Sequence, residues 1–244
     1  MRYSRQILFP AFGEEGQRKL RETHVLIAGM GGLGSPVATY LACAGVGKLT
    51  LVDFDRVDLS NLNRQILHWE EDVGSHKVLS AGRKLRELNH ETEIEPLAVR
   101  LDSDNADGLL RGIDLAIDCL DTMESRFILN SACFRQRIPF IHGGVTGMWG
   151  EVATFLPGKT CCLECAFNRG TKDKGPIPVF GPTAGTVASL QAMEAIKFIS
   201  GVGRLLTDRM LYLNGEEMEF FSVVIHRKAG CDICTLEETT VPTP

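Results

Sequence analysis

The chain has 244 residues, of which 44% are hydrophobic and 23% are charged, close to the averages of globular proteins. This composition excludes collagen-like and disordered classes, and the length suits one large domain or a domain with an appended lobe. The 26 lysine and arginine residues and 31 aspartate and glutamate residues give a net charge of −5. We therefore expect neither nucleic acid nor a membrane surface as a partner.

No apolar stretch approaches the roughly 18 residues that a membrane-spanning helix needs. Few apolar residues follow the N-terminal Met1–Gln6 before Pro10, which is unlike a signal peptide. These features predict a soluble, cytoplasmic protein. Because thiols stay reduced in that compartment, regularly spaced members of the eight cysteines indicate metal binding rather than disulfides.

Short apolar runs alternate with helical segments through the first 145 residues. An amphipathic segment over 1–22 is followed by predicted strands at 25–28, 49–52, 115–117 and 140–141, and by predicted helices at 35–44, 79–88 and 126–135. This alternation predicts an α/β, Rossmann-like and mostly parallel sheet with right-handed crossovers.

The second half of the chain changes character. Its predicted elements are a strand at 151–155, a loop at 169–185, a helix at 187–199, and strands at 210–213 and 220–225. We expect these strands to extend the sheet in antiparallel fashion. The whole chain, 1–244, is predicted to be a single domain with a nucleotide-binding part (1–145), a second part (146–234) and a flexible tail (235–244).

A glycine-rich loop follows the first predicted strand and opens the first helix. It reads Gly29-Met30-Gly31-Gly32-Leu33-Gly34, and Asp53 closes the next strand about 20 residues further on. In this context backbone N–H groups at a helix start bind phosphates, and the carboxylate binds ribose hydroxyls. The loop predicts a nucleotide site but leaves an NAD-dependent oxidoreductase open.

Further polar residues distinguish between nucleotides. Asp55, the segment Ser60-Asn61-Leu62-Asn63-Arg64-Gln65 and Lys77 follow the second strand, and Asp118 and Asp121 stand at the carboxyl end of a later strand. Two cations and an additional carboxylate exceed what a dinucleotide needs. Because a triphosphate needs cations for its phosphates and an aspartate for Mg²⁺, the set favours ATP with Mg²⁺.

Two CxxC pairs stand in the second half, Cys162 with Cys165 and Cys231 with Cys234. Four thiolates suit tetrahedral Zn²⁺, and closed four-cysteine sites are structural rather than catalytic. A redox-active CxxC is the alternative, although such a motif more often opens a helix in a thioredoxin-like unit.

In this order, the motifs resemble those of the MoeB/ThiF/HesA adenylyltransferases, relatives of the ubiquitin-activating enzymes. The resemblance runs from about Arg2 to Cys234 and includes two further segments, Arg5-Gln6 and Ser189-Leu190-Gln191-Ala192-Met193-Glu194-Ala195-Ile196-Lys197. The motifs are specific as a set. The resemblance implies Zn²⁺ at the four cysteines, which favours the structural metal over the redox interpretation.

The resemblance also implies roles residue by residue. The position of Gly32 contacts the nucleotide, that of Asp53 binds the ribose, and the stretch Ser60 to Arg64 lines the phosphate site with Lys77 beside it. Asp121 matches the aspartate that binds Mg²⁺.

Two further positions are Arg5, which bears on the contact between subunits, and Thr122, at which this chain differs from the family. Arg5 matches an arginine that reaches the phosphates across a dimer interface, so the resemblance implies a homodimer. Thr122 stands where the family usually has asparagine, which leaves the contact at 122 open.

The implied reaction joins the C-terminal carboxylate of a small ubiquitin-like sulfur-carrier protein ending in Gly-Gly to AMP and expels pyrophosphate. A carboxylate is already ionised at pH 7, so the reaction needs no general base. We expect catalysis by positioning and electrostatics, with Arg5, Arg64 and Lys77 neutralising charge and Asp121 holding Mg²⁺. Residues 146–234 would then bind the carrier, and the pathway that the carrier serves would be molybdopterin or thiamin biosynthesis.

Residues 171–185 contain no cysteine, whereas many relatives carry one in this crossover loop that bonds to the carrier. We therefore expect the reaction to stop at the acyl-adenylate, with sulfur supplied by a separate sulfur-donor protein. His142 precedes Gly143-Gly144 at a predicted loop position near the carrier tail. An oxidoreductase and a non-catalytic nucleotide or carrier-binding relative stay open as alternatives.

Overall fold

One eight-stranded sheet runs through the protein in a computed structural model that describes residues 2–167 and 177–235. Its strands lie in the order β3-β2-β1-β4-β5-β6-β7-β8. Their bounds are β1 His24–Ala28, β2 Lys48–Val52, β3 Glu93–Leu97, β4 Leu115–Asp118, β5 Phe140–Thr146, β6 Trp149–Phe155, β7 Arg209–Asn214 and β8 Glu219–Val224. The first five strands in the spatial order are parallel, and β6 to β8 continue the sheet in antiparallel fashion. The predicted α/β architecture is confirmed.

The helices of the described residues follow the predicted alternation. They are α1 Ser4–Ile7, α2 Gly13–Glu22, α3 Gly34–Ala44, α4 Lys77–Leu88, α5 Ala106–Leu109, α6 Met123–Gln136, α7 Leu163–Ala166, α8 Gly181–Ser200 and α9 Asp232–Thr235. None of these described helices has the length and apolar content that a bilayer crossing requires.

Most predicted boundaries lie within three residues of the observed ones, since α4 begins at Lys77 and α6 at Met123, but two of them assign residues to the wrong kind of structure. Helix α8 begins at Gly181, so residues 181–185 are helical rather than part of the predicted loop, because Pro182 is tolerated in the first turn of a helix. Thr235 ends α9 rather than starting the predicted tail. Residues 168–176 of the crossover loop and residues 236–244 of the tail lie outside the described part of the chain.

The sheet separates two apolar cores. On one face the core includes Leu41 of α3, Leu85 of α4 and Val187 of α8, all without solvent exposure. On the other face it includes Leu129 and Phe134 of α6, which are also buried. Because the inner parallel strands β1, β2 and β4 are covered on both faces, they consist mainly of buried apolar residues, as the sequence predicts.

The carboxyl ends of three adjacent strands meet at one edge of the sheet. Ala28 of β1 pairs with Val52 of β2 on one side and with Asp118 of β4 on the other. The next residues continue this register, since the Gly29 N–H donates to the Val52 carbonyl over 2.7 Å and the Cys119 N–H donates to the Ala28 carbonyl over 2.8 Å. The glycine loop therefore emerges beside the two loops that carry the predicted carboxylates.

Candidate active site

The glycine loop makes a tight turn between β1 and α3. Gly29 has φ of 94°, in the left-handed region that favours glycine. A side chain at Gly34 would collide with the Gly29 carbonyl oxygen, so the turn needs glycine at both ends. Gly31 and Gly32, between them, keep partly exposed backbone at the start of α3.

A cavity of about 530 Å³ opens above the glycine loop at the carboxyl ends of the parallel strands. This is the volume of a small-molecule site, at the position where ligands bind in open α/β sheets. Among the predicted site residues, its wall includes Gly29, Gly31, Gly32, Asp53, Asp55, Arg64, Lys77, Asp121 and Thr122. The structure thus brings together residues from the loops that follow β1, β2 and β4 and from the first turn of α4.

Asp53 connects the glycine loop to the end of β2. Its Oδ2 accepts a hydrogen bond from the Met30 N–H over 2.7 Å, and its Oδ1 accepts one from the Asp55 N–H over 2.8 Å. Burial raises the pKa of the Asp53 carboxyl, and the positive charge of Lys77 opposes that shift. The carboxylate is therefore held in a fixed orientation on the cavity wall.

Lys77 supplies a positive charge from the first turn of α4. Its ammonium lies 2.8 Å from Asp55 Oδ2, and only 7% of its side chain is exposed. The Lys77 N–H also donates to the Asp55 carbonyl over 3.0 Å. Asp55 therefore fixes both the backbone and the side chain of this lysine beside the cavity.

Arg64 is the second cation on the wall, and its own segment orients it. The Arg64 Nη1 donates to the Ser60 carbonyl and to Asn63 Oδ1, each over 2.9 Å, and Asp58 caps the short 3₁₀ turn that contains Ser60. Within the described residues, the cavity wall does not include Gly34, Ser60, Asn61, Leu62 or Asn63. The segment thus places one guanidinium rather than lining the cavity along its length.

Gln65, for which the sequence motifs predict no role, lies on the cavity wall. Gln65 is 4% exposed, and its Oε1 has no hydrogen-bond partner among the described residues. A buried acceptor of this kind is costly unless a ligand or water supplies a donor. Its position beside Gly31 therefore fits a cavity that holds a polar ligand.

The loop after β4 carries the predicted magnesium ligand. The Asp121 side chain is exposed at the cavity wall, and Thr122 caps α6 by accepting a hydrogen bond from the Ser125 N–H over 3.4 Å. Arg126, which belongs to none of the predicted site motifs, also lines the cavity and donates from Nε and Nη2 to the Leu120 carbonyl.

Arg5 lies apart from these residues. It is exposed on α1, and it is absent from the cavity wall within the described part of its own chain. Its neighbour Gln6 lines a second depression of about 640 Å³ between α1, α3 and α8, which we call the α1–α8 groove. Phe9, Tyr40 and Met193 in this groove are each more than half exposed.

The four predicted metal ligands form one cluster. Cys162 Sγ lies 3.8 Å from Cys165 Sγ and 3.6 Å from Cys231 Sγ, and Cys165 Sγ lies 3.6 Å from Cys234 Sγ. Zn–S bonds of about 2.3 Å in a tetrahedron place the sulfurs about 3.8 Å apart. The donor set and its spacing therefore fit Zn²⁺.

Burial and the neighbouring sulfurs raise the pKa of the Cys162 thiol, and burial raises that of Cys234 to about 12. A bound dication reverses this shift, because it stabilises thiolates directly. The cluster thus has the chemistry of a metal site.

The parallel sheet, the glycine loop and the cationic cavity define a nucleotide-binding α/β protein. Comparison with known proteins identifies it further. Residues 3–233 match the ThiF family. The chain is 39% identical to the heterocyst HesA protein of Trichormus variabilis, over 96% of this chain and 88% of that protein. It is 38% identical to the molybdopterin-synthase adenylyltransferase of Escherichia coli, over 96% of each chain.

A solved structure, that of E. coli MccB with ATP, superposes with a TM-score of 0.83 at 28% identity, covering 96% of this chain and 74% of that one. The chain belongs to the ThiF family, and it is an adenylyltransferase. The family resemblance read from the motifs is confirmed, which sets aside the oxidoreductase left open by the glycine loop.

Proposed function

We propose that the protein joins the C-terminal carboxylate of a small ubiquitin-like sulfur-carrier protein, ending in Gly-Gly, to AMP derived from ATP. The observation that carries this proposal is the convergence of Arg64, Lys77 and Asp121 on a cavity floored by the glycine loop. The names of two relatives support it, since one is a molybdopterin-synthase adenylyltransferase and another, MccB, was solved with ATP.

Each wall residue has a role set by its charge. Asp53 holds the ribose hydroxyls, since its carboxylate retains acceptor capacity beyond its two backbone donors. Lys77 and Arg64 neutralise the β- and γ-phosphates, and the backbone at Gly31 and Gly32 faces the phosphates at the start of α3.

Asp121 suits Mg²⁺ because its carboxylate is exposed at the cavity and has no hydrogen-bond or ion-pair partner among the described residues. Carboxylates beside substrate phosphates are the usual protein ligands of this ion. Bound Mg²⁺ supplies further neutralisation of the phosphate charge.

The chemical step needs no proton transfer. A carboxylate oxygen of the carrier bonds to the α-phosphorus, and the bond from that phosphorus to the bridging oxygen breaks, with its electron pair leaving on pyrophosphate. The residues therefore act by position and charge. Because residues 171–185 contain no cysteine, the product is the acyl-adenylate, and a separate sulfur-donor protein completes sulfur transfer.

The protein acts as a homodimer in this proposal, with Arg5 of each subunit directed to the cavity of the other. The α1–α8 groove supports it, because Phe9, Tyr40 and Met193 expose apolar area beside the helix that carries Arg5. A two-fold contact buries this area and moves Arg5 next to its partner's surface.

The cysteine cluster holds a structural Zn²⁺ that ties the segment at α9 to that at α7. Four thiolates leave no open coordination position, so the ion has no part in adenylation. Metal analysis of native protein should find about one zinc per chain.

ATP–pyrophosphate exchange with Mg²⁺, against a panel of small carriers ending in Gly-Gly, tests the activity. Exchange should require one carrier and should disappear in Asp121→Ala, which leaves the core intact because Asp121 is exposed. Mg²⁺·ATP binding without exchange against any carrier would contradict the carrier substrate. Unchanged exchange in Asp121→Ala would contradict the magnesium assignment.

Subunit mixing tests the homodimer. Arg5→Ala and Asp121→Ala should each be inactive alone, but mixed dimers contain one site with both residues intact. Exchange in the mixture should then recover to roughly a quarter of the wild-type rate. Arg2→Ala, a neighbouring arginine that donates to the Leu88 carbonyl of its own chain, is the matched control. No recovery on mixing would contradict a shared site.

A further inference from the structure

A row of buried charged groups lies beneath the loop that carries Asp121. His142 and Asp118 have no solvent exposure, and the His142 Nδ1 lies 2.7 Å from Asp118 Oδ2. On the other side of the ring, Nε2 lies 3.4 Å from Glu151 Oε1. Since only the doubly protonated imidazolium has N–H donors at both positions, this form satisfies both carboxylates.

Asp118 in turn holds the backbone of the loop. Its Oδ1 accepts a hydrogen bond from the Leu120 N–H over 3.0 Å. Arg126 donates to the Leu120 carbonyl over 2.6 and 3.1 Å, and its Nε lies 3.8 Å from Asp118 Oδ2. The backbone N–H and the carbonyl of Leu120, the residue before Asp121, are therefore both fixed by side chains.

Glycines on β5 allow these groups to approach. A side chain at Gly144 would lie 2.6 Å from Glu151 Oε1 and 3.1 Å from Arg126 Nη1. A side chain at Gly143 would collide with Gln191, whose Nε2 donates to the Asp118 carbonyl over 2.7 Å. Gly143 and Gly144 therefore leave the space that Gln191, Glu151 and Arg126 occupy beside His142 and Asp118.

We propose that His142 is a positioning residue, which orients Asp118 and through it the loop that presents Asp121 to Mg²⁺·ATP. The proposal rests on the proposed function of Asp121. It corrects the expectation that His142 lies in a loop near the carrier tail, because the residue is buried within β5.

The charges around His142 make this arrangement dependent on its proton. The groups that face it are Asp118 on β4, Glu151 on β6 and Arg126 on α6. With His142 protonated, two carboxylates face two cations. Without that proton, one ring nitrogen becomes an acceptor directed at a carboxylate oxygen, and the contact on that side is lost.

The pKa of His142 shifts in the direction that this geometry predicts. Burial alone lowers the pKa of His142, but the hydrogen bonds to Asp118 and Glu151 outweigh it and raise the pKa above its usual range. A raised pKa means that the folded protein favours the protonated ring. The set of contacts that supports the loop is therefore complete at lower pH and is weakened by the loss of one contact as the pH rises through the pKa of His142 in the folded protein.

Binding of a non-hydrolysable ATP analogue, measured by calorimetry with and without Mg²⁺ from about pH 6 to about pH 10, tests the proposal. In the wild type, Mg²⁺-dependent affinity should fall with the loss of one proton at alkaline pH. His142→Gln should bind Mg²⁺ and analogue about 10- to 100-fold more weakly at neutral pH, without that pH dependence.

Glu151→Gln provides a variant at a partly exposed position. Because it removes a carboxylate that raises the His142 pKa, it should move the alkaline midpoint to lower pH. His24→Gln, at the opposite end of β1 and hydrogen-bonded to Thr50, should follow the wild type. If His142→Gln does not fold, Glu151→Gln alone decides the test.

An unmoved midpoint in Glu151→Gln, or a wild-type pH profile in folded His142→Gln, would overturn the proposal. Pyrophosphate exchange measured in parallel separates it from the proposed function. Wild-type protein that binds Mg²⁺ and analogue with the expected pH profile, but exchanges with no carrier, would refute the carrier substrate only. No Mg²⁺-dependent binding at any pH would overturn both.

Discussion

The nucleotide cavity and the cysteine cluster are assembled in opposite ways. The residues of the cavity follow the ends of adjacent parallel strands, whose register already places Gly29 beside the Cys119 loop. The cluster instead joins two segments 65 residues apart, at α7 and α9, which share no strand pairing with each other. The strand register forms the first site, whereas at the second the proposed Zn²⁺ would supply part of the folding free energy.

Cys231→Ser should have the largest effect of the variants considered, and it should affect the cysteine cluster without affecting the nucleotide cavity. Loss of one thiolate weakens the metal site, and about 3 kcal/mol of lost stability corresponds to a Tm lower by about 10 °C in a chain of this length. Calorimetry and zinc analysis check this result. ATP affinity at low temperature should stay near that of the wild type, because none of the four cysteines lies on the cavity wall.

Cys43→Ser, at an exposed cysteine outside the cluster, is the matched control and should retain both zinc and Tm. Equal loss of ATP binding and zinc in Cys231→Ser would mean that the two regions fold as one unit.

Lys77→Ala should reduce ATP–pyrophosphate exchange by about 100-fold, the scale found when a preorganised group is removed from developing charge. It removes a buried ammonium from the cavity wall and leaves Asp55 without its cation. Lys48→Ala at the other end of β2 is the control. Like Lys77, Lys48 forms ion pairs, in its case with Glu93 and Glu95, but it lies away from the cavity. Similar losses in both variants would point to stability rather than to phosphate binding.

Asp53→Asn should raise the KM for ATP by about tenfold, about 1.4 kcal/mol, because one carboxylate acceptor for the ribose becomes an amide. The raised pKa of Asp53 also means that it gains its proton earlier than an ordinary aspartate as the pH falls. Wild-type ATP affinity should therefore decline at acidic pH, and the decline should be absent in Asp53→Asn. Asp114→Asn, at the amino end of the sheet beside His24, should retain the wild-type profile.

Thr122→Asn should change exchange by less than about twofold, the smallest effect. Asparagine is as good an N-cap as threonine and can still accept from the Ser125 N–H. The variant restores the residue usual in the family at this position. A large gain in activity would show that Thr122 limits the nucleotide site, and ATP–pyrophosphate exchange measures this directly.

Local patterns in the sequence predicted the main elements, because buried strands and helices carry continuous or periodic apolar residues. The strand β3 was missed, since Glu93–Leu97 alternates weakly and includes Pro96, which an edge strand tolerates. The early start of α8 was missed because the glycines at 181 and 185 indicate a loop when their neighbours are unknown.

The family and the adenylyltransferase activity could be predicted because several short local motifs are specific as a set. They are the glycine loop, the segment from Ser60 to Gln65, Lys77, Asp121 and the two CxxC pairs. The surroundings of His142 could not be predicted, since its partners Asp118 and Glu151 come from neighbouring strands and only the sheet register brings them together. For Arg64, the motif indicated a phosphate site but not that Ser60 and Asn63 orient the guanidinium instead of lining the cavity. Side-chain networks of this kind depend on non-local geometry.

Helix α8 reaches from the nucleotide cavity to the α1–α8 groove. Ala184 in its first turns lies on the cavity wall, and Met193 and Ile196 further along line the groove. At 1.5 Å per residue, about 14 Å of continuous helix separates Ala184 from Met193. One continuous helix therefore supplies side chains to both depressions, and the position of Ala184 on the cavity wall is fixed by the same rigid element that carries the apolar side chains of the groove.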